Sequence, residues 1–386
     1  MSRKIRMGMV GGGTGAFIGE VHRKAAALDG KIELVCGAFS SDPERSRESG
    51  RALYLDESRV YGTFGEMFEK EKKLPEGERM DFVSIVTPNH LHYPAAREAL
   101  ESGFHVVCDK PMTVNLEEAE SLEKLVEETG LLFALTHNYT GYPMVKQARA
   151  MIAEGELGAI RKVVVEYPQG WLATRLEEEG NKQASWRTDP AKAGPAGAMG
   201  DIGTHAENLA EYMTGLSIER LCADLGHVVE GRQLDDDANI LLRFDNGARG
   251  VMHASQISTG EENNLKIYVY GEKGGLVWGQ EEPNTLLIRH PDRPAELYRT
   301  GNGYDWLSPS ALAHIRLPSG HPEGFIEAFG NIYRNVAVTL QSRLAGREPD
   351  KLYLDFPGVR DGVRGMQFLK TVLKSDKSEE KWTTME

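Results

Sequence analysis

Through the first 137 residues, short apolar runs alternate with longer stretches of helical spacing. The runs are Ile5 to Val10, Ile32 to Phe39, Phe82 to Val86, His105 to Cys108 and Leu132 to Leu135. They are apolar almost throughout, as strands covered on both faces of a parallel sheet must be. Between the fourth and fifth lies a clear helix: Asn115 stands in a capping position, Glu118 follows three residues on, and Leu116, Ala119, Leu122, Leu125 and Val126 fall on one face. Strand, helix, strand in repetition predicts a doubly wound α/β domain over residues 1–137.

Beyond Tyr139 the pattern changes. A helix from Pro143 to Glu154 stops at Gly155, and six longer runs follow: Arg161 to Tyr167, Ile218 to Leu225, Ala238 to Phe244, Ala248 to Ser255, Leu265 to Tyr270 and Leu276 to Trp278. Asp245-Asn246-Gly247 between two of them reads as a hairpin turn, because Asn-Gly tolerates the positive φ angles such turns need. Hairpin-linked strands predict a large, mostly antiparallel sheet in an α+β domain over residues 138–386. Two helices close the chain. One carries Phe325, Phe329, Ile332, Tyr333, Val336 and Leu340 on a stripe; the other, about Val359 to Leu373, is expected to pack back on the first domain.

Composition narrows the function. The chain has 386 residues, Lys+Arg 45 against Asp+Glu 58, and a net charge of −13, so it lacks the basic surface that nucleic-acid binding requires. No run approaches the roughly 20 apolar residues of a membrane helix. Cys36, Cys108 and Cys222 are widely spaced, which excludes a zinc ribbon and fits a reducing, cytoplasmic setting.

The candidate chemistry sits where the first domain's strands end. Strand Ile5 to Val10 runs into Gly11-Gly12-Gly13-Thr14-Gly15-Ala16, then a helix, the order in which backbone N–H groups meet a dinucleotide pyrophosphate. Gly11, Gly13 and Ala16 match G-x-G-x-x-G/A, although Gly15 and Gly19 leave the register open. His22 reads as a packing residue. At the second strand's end Ser40 occupies the place of the acid that usually binds the adenosine ribose; Asp42 could serve NAD or cap the next helix, and Arg45 could reach a 2′-phosphate. The cofactor is therefore NAD or NADP, with the balance toward NAD and no metal. Later strand ends carry Thr87-Pro88-Asn89 with His92, and Asp109-Lys110-Pro111. His90 and His92 alternate faces, which disfavours a shared metal. In the second domain Asp201 and His205, four apart, share a face if a helix begins near Gly200. Asp235-Asp236-Asp237 reads as a solvated turn.

Together these motifs resemble the Gfo/Idh/MocA oxidoreductases. The resemblance implies a Rossmann domain, a second domain with an open sheet, bound NAD(P), and sugars or polyols as substrates. It departs from the family in two places. Asp109 replaces the usual Glu before Lys-Pro. Aligning Gly19 and His22 with the family's third glycine and histidine leaves an insertion of three residues in the glycine turn.

Alcohol oxidation needs a hydride acceptor and a base for the hydroxyl proton. His205 suits the base, Lys110 would stabilise an alkoxide-like oxygen, and Asp201 would orient the hydroxyl or the imidazole. Lys110, Asp201 and His205 are thus the expected catalytic set, and Tyr139, Tyr142, Trp186, Arg187 and His321 are candidate pocket residues. Two alternatives share the fold: an NAD-dependent glycosidase acting by transient oxidation, and a non-enzymatic dinucleotide sensor. An open sheet with one uncovered face predicts a homodimer or homotetramer.

Overall fold

The computed structural model describes residues 3–386, which divide into two compact units. The first comprises residues up to Asn138 together with Phe325–Val363, and the second Tyr139–Gly324 with Arg364–Glu386.

In the first unit, five strands lie in the order β2-β1-β3-β4-β5, all parallel. They are β1 Ile5–Gly11, β2 Ile32–Ala38, β3 Phe82–Val86, β4 His105–Cys108 and β5 Phe133–Leu135. Every residue of β3 is buried, as its unbroken apolar run predicts. Asn115 accepts from the Glu118 N–H and starts helix Leu116–Thr129, which Gly130 ends in the left-handed conformation. Strand order reverses between β1 and β3, so their carboxyl ends open onto the crevice where such sheets bind ligands.

The helix Phe325–Leu344 belongs to this unit, not to the second as its position in the chain suggests. Its stripe of Phe329, Tyr333, Val336, Ala337 and Leu340 joins one core with Met7, Met9, Val21, Ala25 and Phe82. That burial outweighs chain continuity. The last helix, Val359–Asp376, is divided between the units: its start to Val363 groups with the first, where Arg360 pairs with Glu123 and Glu127, and the part from Arg364 groups with the second, where Ser375 and Asp376 accept from the N–H groups of Ala223 and Leu225.

The second unit holds a nine-stranded sheet in the order β13-β12-β11-β10-β6-β9-β8-β7-β14, antiparallel except for the β6–β9 pair. The strands are β6 Ile160–Pro168, β7 Ile218–Gly226, β8 Asp237–Phe244, β9 Arg249–Ser255, β10 Lys266–Gly271, β11 Gly275–Gly279, β12 Thr285–Arg289, β13 Glu296–Arg299 and β14 Thr383–Thr384. The β8–β9 turn places only Gly247 at positive φ (+85°), so Asp245-Asn246 forms an ordinary turn followed by a glycine bulge, not the two-residue Asn-Gly turn. The last three strands escaped the sequence pattern because they are short, of two to five residues, and two of them, β13 and β14, are edge strands with few apolar residues.

One face of this sheet carries a continuous row of paired side chains: Cys222, Leu241, Val251, Val164, Tyr268, Val277, Leu287 and Leu297. All eight are half-buried or exposed, whereas the neighbouring Val163, Val165 and Trp278 on the opposite face are buried. Among the described residues, no helix is long and apolar enough to cross a membrane.

Candidate active site

In the first unit the glycine turn after β1 leads into helix Phe17–Ala27, whose N-cap Ala16 offers no side-chain cap to the first-turn N–H groups. A Cβ on Gly19 would lie 2.3 Å from the Gly12 Cα, so helix and turn touch backbone to backbone. Gly19 thus fills the third-glycine role, and Thr14, Gly15 and Ala16 form the inserted bend, closed by Ala16 N–H donating to Gly13 O at 3.0 Å. Gly11 and Gly15 take left-handed φ angles, and the Thr14 N–H donates to Ser49 Oγ at 3.1 Å. The start of this helix, whose first-turn N–H groups have no side-chain cap, fits a pyrophosphate.

At the β2 end, Asp42 caps helix Pro43–Ala52, its Oδ1 accepting from the N–H of Glu44 (2.9 Å) and Arg45 (3.4 Å). Ser40 Oγ accepts from the Asp42 N–H at 3.1 Å. Ser40→Asp keeps that acceptor and adds a charge that repels a 2′-phosphate. The expected result is a higher NAD-to-NADP ratio of kcat/KM; an unchanged ratio would place Ser40 away from the ribose.

His92, only 1% exposed, acts as a strut. Its Nδ1 lies 2.8 Å from Pro111 O and its Nε2 2.9 Å from Thr87 O, tying the loop after β4 to the one after β3. Both ring nitrogens of His92 are thus engaged with backbone oxygens. Thr87 and Pro88 are half-buried, and Asn89 is buried beside them at the start of the helical turn Asn89–Leu91. Asp109 Oδ1 accepts from the Lys110 N–H (2.8 Å) and the Thr136 hydroxyl (2.9 Å), which fixes the backbone that carries Lys110. The Lys110–Pro111 bond is cis. Burial first, and then the Lys110 charge, hold the His137 imidazole down to about 3.

In the second unit, the expected helix from Gly200 is a π-turn, Met199–Gly203, running into helix Thr204–Thr214. Asp201 and His205 sit on this junction. Asp235, expected in a solvated turn, is 4% exposed and accepts from the N–H groups of Gly197 (2.6 Å) and Met199 (2.7 Å), pinning the approach to the turn. Asp236 is likewise buried and accepts from Val228 and Val229.

Around His205 lies a polar network that the sequence pattern only partly disclosed. The Tyr139 ring meets His205 edge-on, with centroids 4.8 Å apart. The Tyr139 hydroxyl bonds that of Tyr167, which donates to Asn263 Oδ1 at 2.8 Å. Gln169 Nε2 donates to the same oxygen at 2.6 Å, and its Oε1 accepts from Trp171 Nε1 at 3.1 Å. Gln256 Nε2 donates to Asp201 Oδ2 at 2.9 Å, and Arg187 Nε reaches that oxygen at 3.2 Å. Burial raises the Tyr139 and Tyr167 hydroxyls above their ordinary pKa, so both stay protonated as donors.

Of the expected pocket residues, Tyr139 stands in this network and Arg187 is engaged with Asp201, stacked 4.2 Å over Trp186. Tyr142 is buried between Tyr139 and Trp278. His321 is exposed, its Nδ1 3.3 Å from Ser319 O, and does not join the cluster. Tyr167 ends β6, Gln169 and Trp171 follow it, Gln256 follows β9 and Asn263 precedes β10, so these side chains meet only in the folded sheet and carry no local signal. Among the described residues, no group of three His, Cys, Asp or Glu could hold a metal ion.

Two family models match the chain: an oxidoreductase family with an NAD-binding Rossmann fold over residues 5–139, and a GFO/IDH/MocA C-terminal domain over residues 145–277. The uncharacterized oxidoreductase YfiI of Bacillus subtilis is 33% identical, covering 99% of this chain and 97% of its own. The levoglucosan dehydrogenase of Pseudarthrobacter phenanthrenivorans is 28% identical over 74% of this chain and 76% of its own. An inositol dehydrogenase homolog from Azotobacter vinelandii, solved with NAD+, superposes with a TM-score of 0.93 and 36% identity, covering 99% of this chain and 97% of that one.

Proposed function

The chain belongs to the Gfo/Idh/MocA family of NAD-binding oxidoreductases, and from that premise we propose that it oxidises a secondary hydroxyl of a ring polyol, sugar or glycoside with NAD or NADP. The observation that carries this reading is the network of Tyr139, Tyr167, Asn263, Gln169, Gln256 and Asp201 beside His205. It offers many fixed donors and acceptors, which suit a ring bearing several hydroxyls and not an apolar ligand. Two relatives are named for such rings, inositol and levoglucosan.

When bound, the nicotinamide supplies the hydride acceptor. His205 takes the hydroxyl proton, a task suited to an imidazole, whose ring nitrogen can accept a proton and pass it on. Lys110 is assigned as the donor that stabilises an alkoxide-like oxygen. Asp201, held by Arg187 and Gln256, orients the hydroxyl or the imidazole. The Arg187–Asp201 pair leaves that guanidinium already committed, so neutral rings are favoured over sugar phosphates and sugar acids.

The test follows reduced nicotinamide at alkaline pH with inositols, aldohexoses, glucosides, sugar acids and short aliphatic alcohols. Turnover of ring polyols above all others is expected. Turnover of aliphatic alcohols alone would overturn the reading.

The exposed apolar row from Cys222 to Leu297 is assigned to self-association as a homodimer or homotetramer. Light scattering at micromolar concentration should report a multiple of 42.7 kDa, and Leu241→Lys with Val251→Lys should reduce it. A wild-type monomer contradicts the assignment.

A further inference from the structure

His22 is among the buried titratable side chains that the chemistry above does not use. His22, on helix Phe17–Ala27, is fully enclosed, its ring 5.0 Å from Phe329 and edge-on to Tyr333. Its Nδ1 lies 2.7 Å from the Tyr333 hydroxyl, which lies 2.7 Å from Ser84 Oγ on β3. Its Nε2 has no hydrogen-bond partner among the described residues and stands 4.0 Å from Asp109 Oδ2. The other oxygen of that carboxylate already serves Lys110 and Thr136, so Oδ2 is the one turned toward His22.

Burial drives the His22 imidazole down to about 4, so near neutral pH the ring carries a single proton. If that proton sat on Nδ1, the bare lone pair of Nε2 would face a carboxylate inside a low-dielectric core, acceptor against acceptor. If it sits on Nε2, the N–H dipole points at the carboxylate, Tyr333 donates to Nδ1 and Ser84 can donate to Tyr333. Every atom of the chain then has a consistent role.

We propose that His22 is a positioning residue for Lys110: held in its Nε2–H form by Tyr333, it aims that N–H at Asp109 and so steadies the carboxylate that orders the Lys110 backbone. The 4.0 Å separation exceeds a hydrogen bond, so the coupling is dipole to charge. This inference rests on the reading of Lys110 as catalytic, and one of its tests does not.

That test is nitrogen-15 NMR of the His22 ring in the full-length protein at pH 7.5, without cofactor. Protonated Nε2 and bare Nδ1 are expected; the opposite tautomer overturns the proposal whatever the activity. The second test is kinetic. His22→Phe keeps the ring volume and Tyr333→Phe removes only the hydroxyl. Each is expected to lower kcat about 5- to 20-fold while the NAD dissociation constant stays within about twofold, and the double variant should be no slower than His22→Phe alone. Unchanged kcat per folded molecule, or additive losses, refutes the coupling. Should His22→Phe fail to fold, Tyr333→Phe and the NMR result decide. A wild-type protein that turns over no ring polyol fails the dehydrogenase reading instead, and the tautomer then decides this proposal by itself.

Discussion

Lys110→Met and His205→Ala are each expected to lower kcat by about 10² or more, or at least about 2.7 kcal/mol of transition-state stabilisation, with dinucleotide affinity changed only a few-fold. Methionine keeps most of the lysine's length and removes its donor and charge. The supports of Lys110 do not depend on its side chain: Asp109 holds its backbone N–H, and His92 ties Pro111 to Thr87. The glycine turn that would cradle the pyrophosphate is likewise untouched. For His205, the Tyr139–Tyr167–Asn263 network is bonded without the imidazole, so alanine should remove a base and leave the surrounding hydroxyls in place. Stopped-flow and steady-state kinetics with the best ring polyol, beside a fluorescence titration of NADH, separate the two effects. Near wild-type turnover in either variant removes that residue from the chemistry.

The second large effect is acid instability. Burial, as the leading cause, holds His22 and His105 down to about 4 and His137 to about 3, all below the ordinary histidine value. The unfolded chain binds protons at these rings once pH drops below about 6.5, whereas the folded chain does not until near 4 or below. Stability is therefore fully present above about pH 7 and declines as pH falls from 6.5 to about 4 for His22 and His105 and to about 3 for His137. By pH 5 each ring costs about 2 kcal/mol, and three together rival the net stability of an ordinary domain, roughly 5–15 kcal/mol. Urea midpoints measured from pH 7.5 to 5 should fall steeply, with uptake approaching three protons on unfolding from these rings. A flat profile over that range would show that the rings are not buried as neutral groups.

The parallel strands of the first unit were legible because full burial leaves an apolar run whatever the topology around it, and the cap at Asn115 was legible because it is a contact between residues three apart. The glycine turn was legible in kind but not in register. Only the approach of Gly12 to Gly19 assigns the third-glycine role, and that approach depends on how helix and strand pack. Asp235 misled because an acidic run ordinarily means solvent; here two backbone N–H groups from 36 and 38 residues away compensate its burial.

By itself the sequence determined what rests on local chemistry: strand and helix periodicity, the hairpin site, and the presence of Lys110, Asp201 and His205 in motif contexts that resemble one family. The tertiary structure decided what rests on long-range pairing. It put helix Phe325–Leu344 into the first unit's core, drew Tyr167, Gln169, Gln256 and Asn263 together beside Asp201 and His205, and set Tyr333 against His22 across 311 residues. Such contacts leave no periodic trace, because hydrogen bonding between side chains depends on distance in space while the pattern along a chain records only which face of each element is buried.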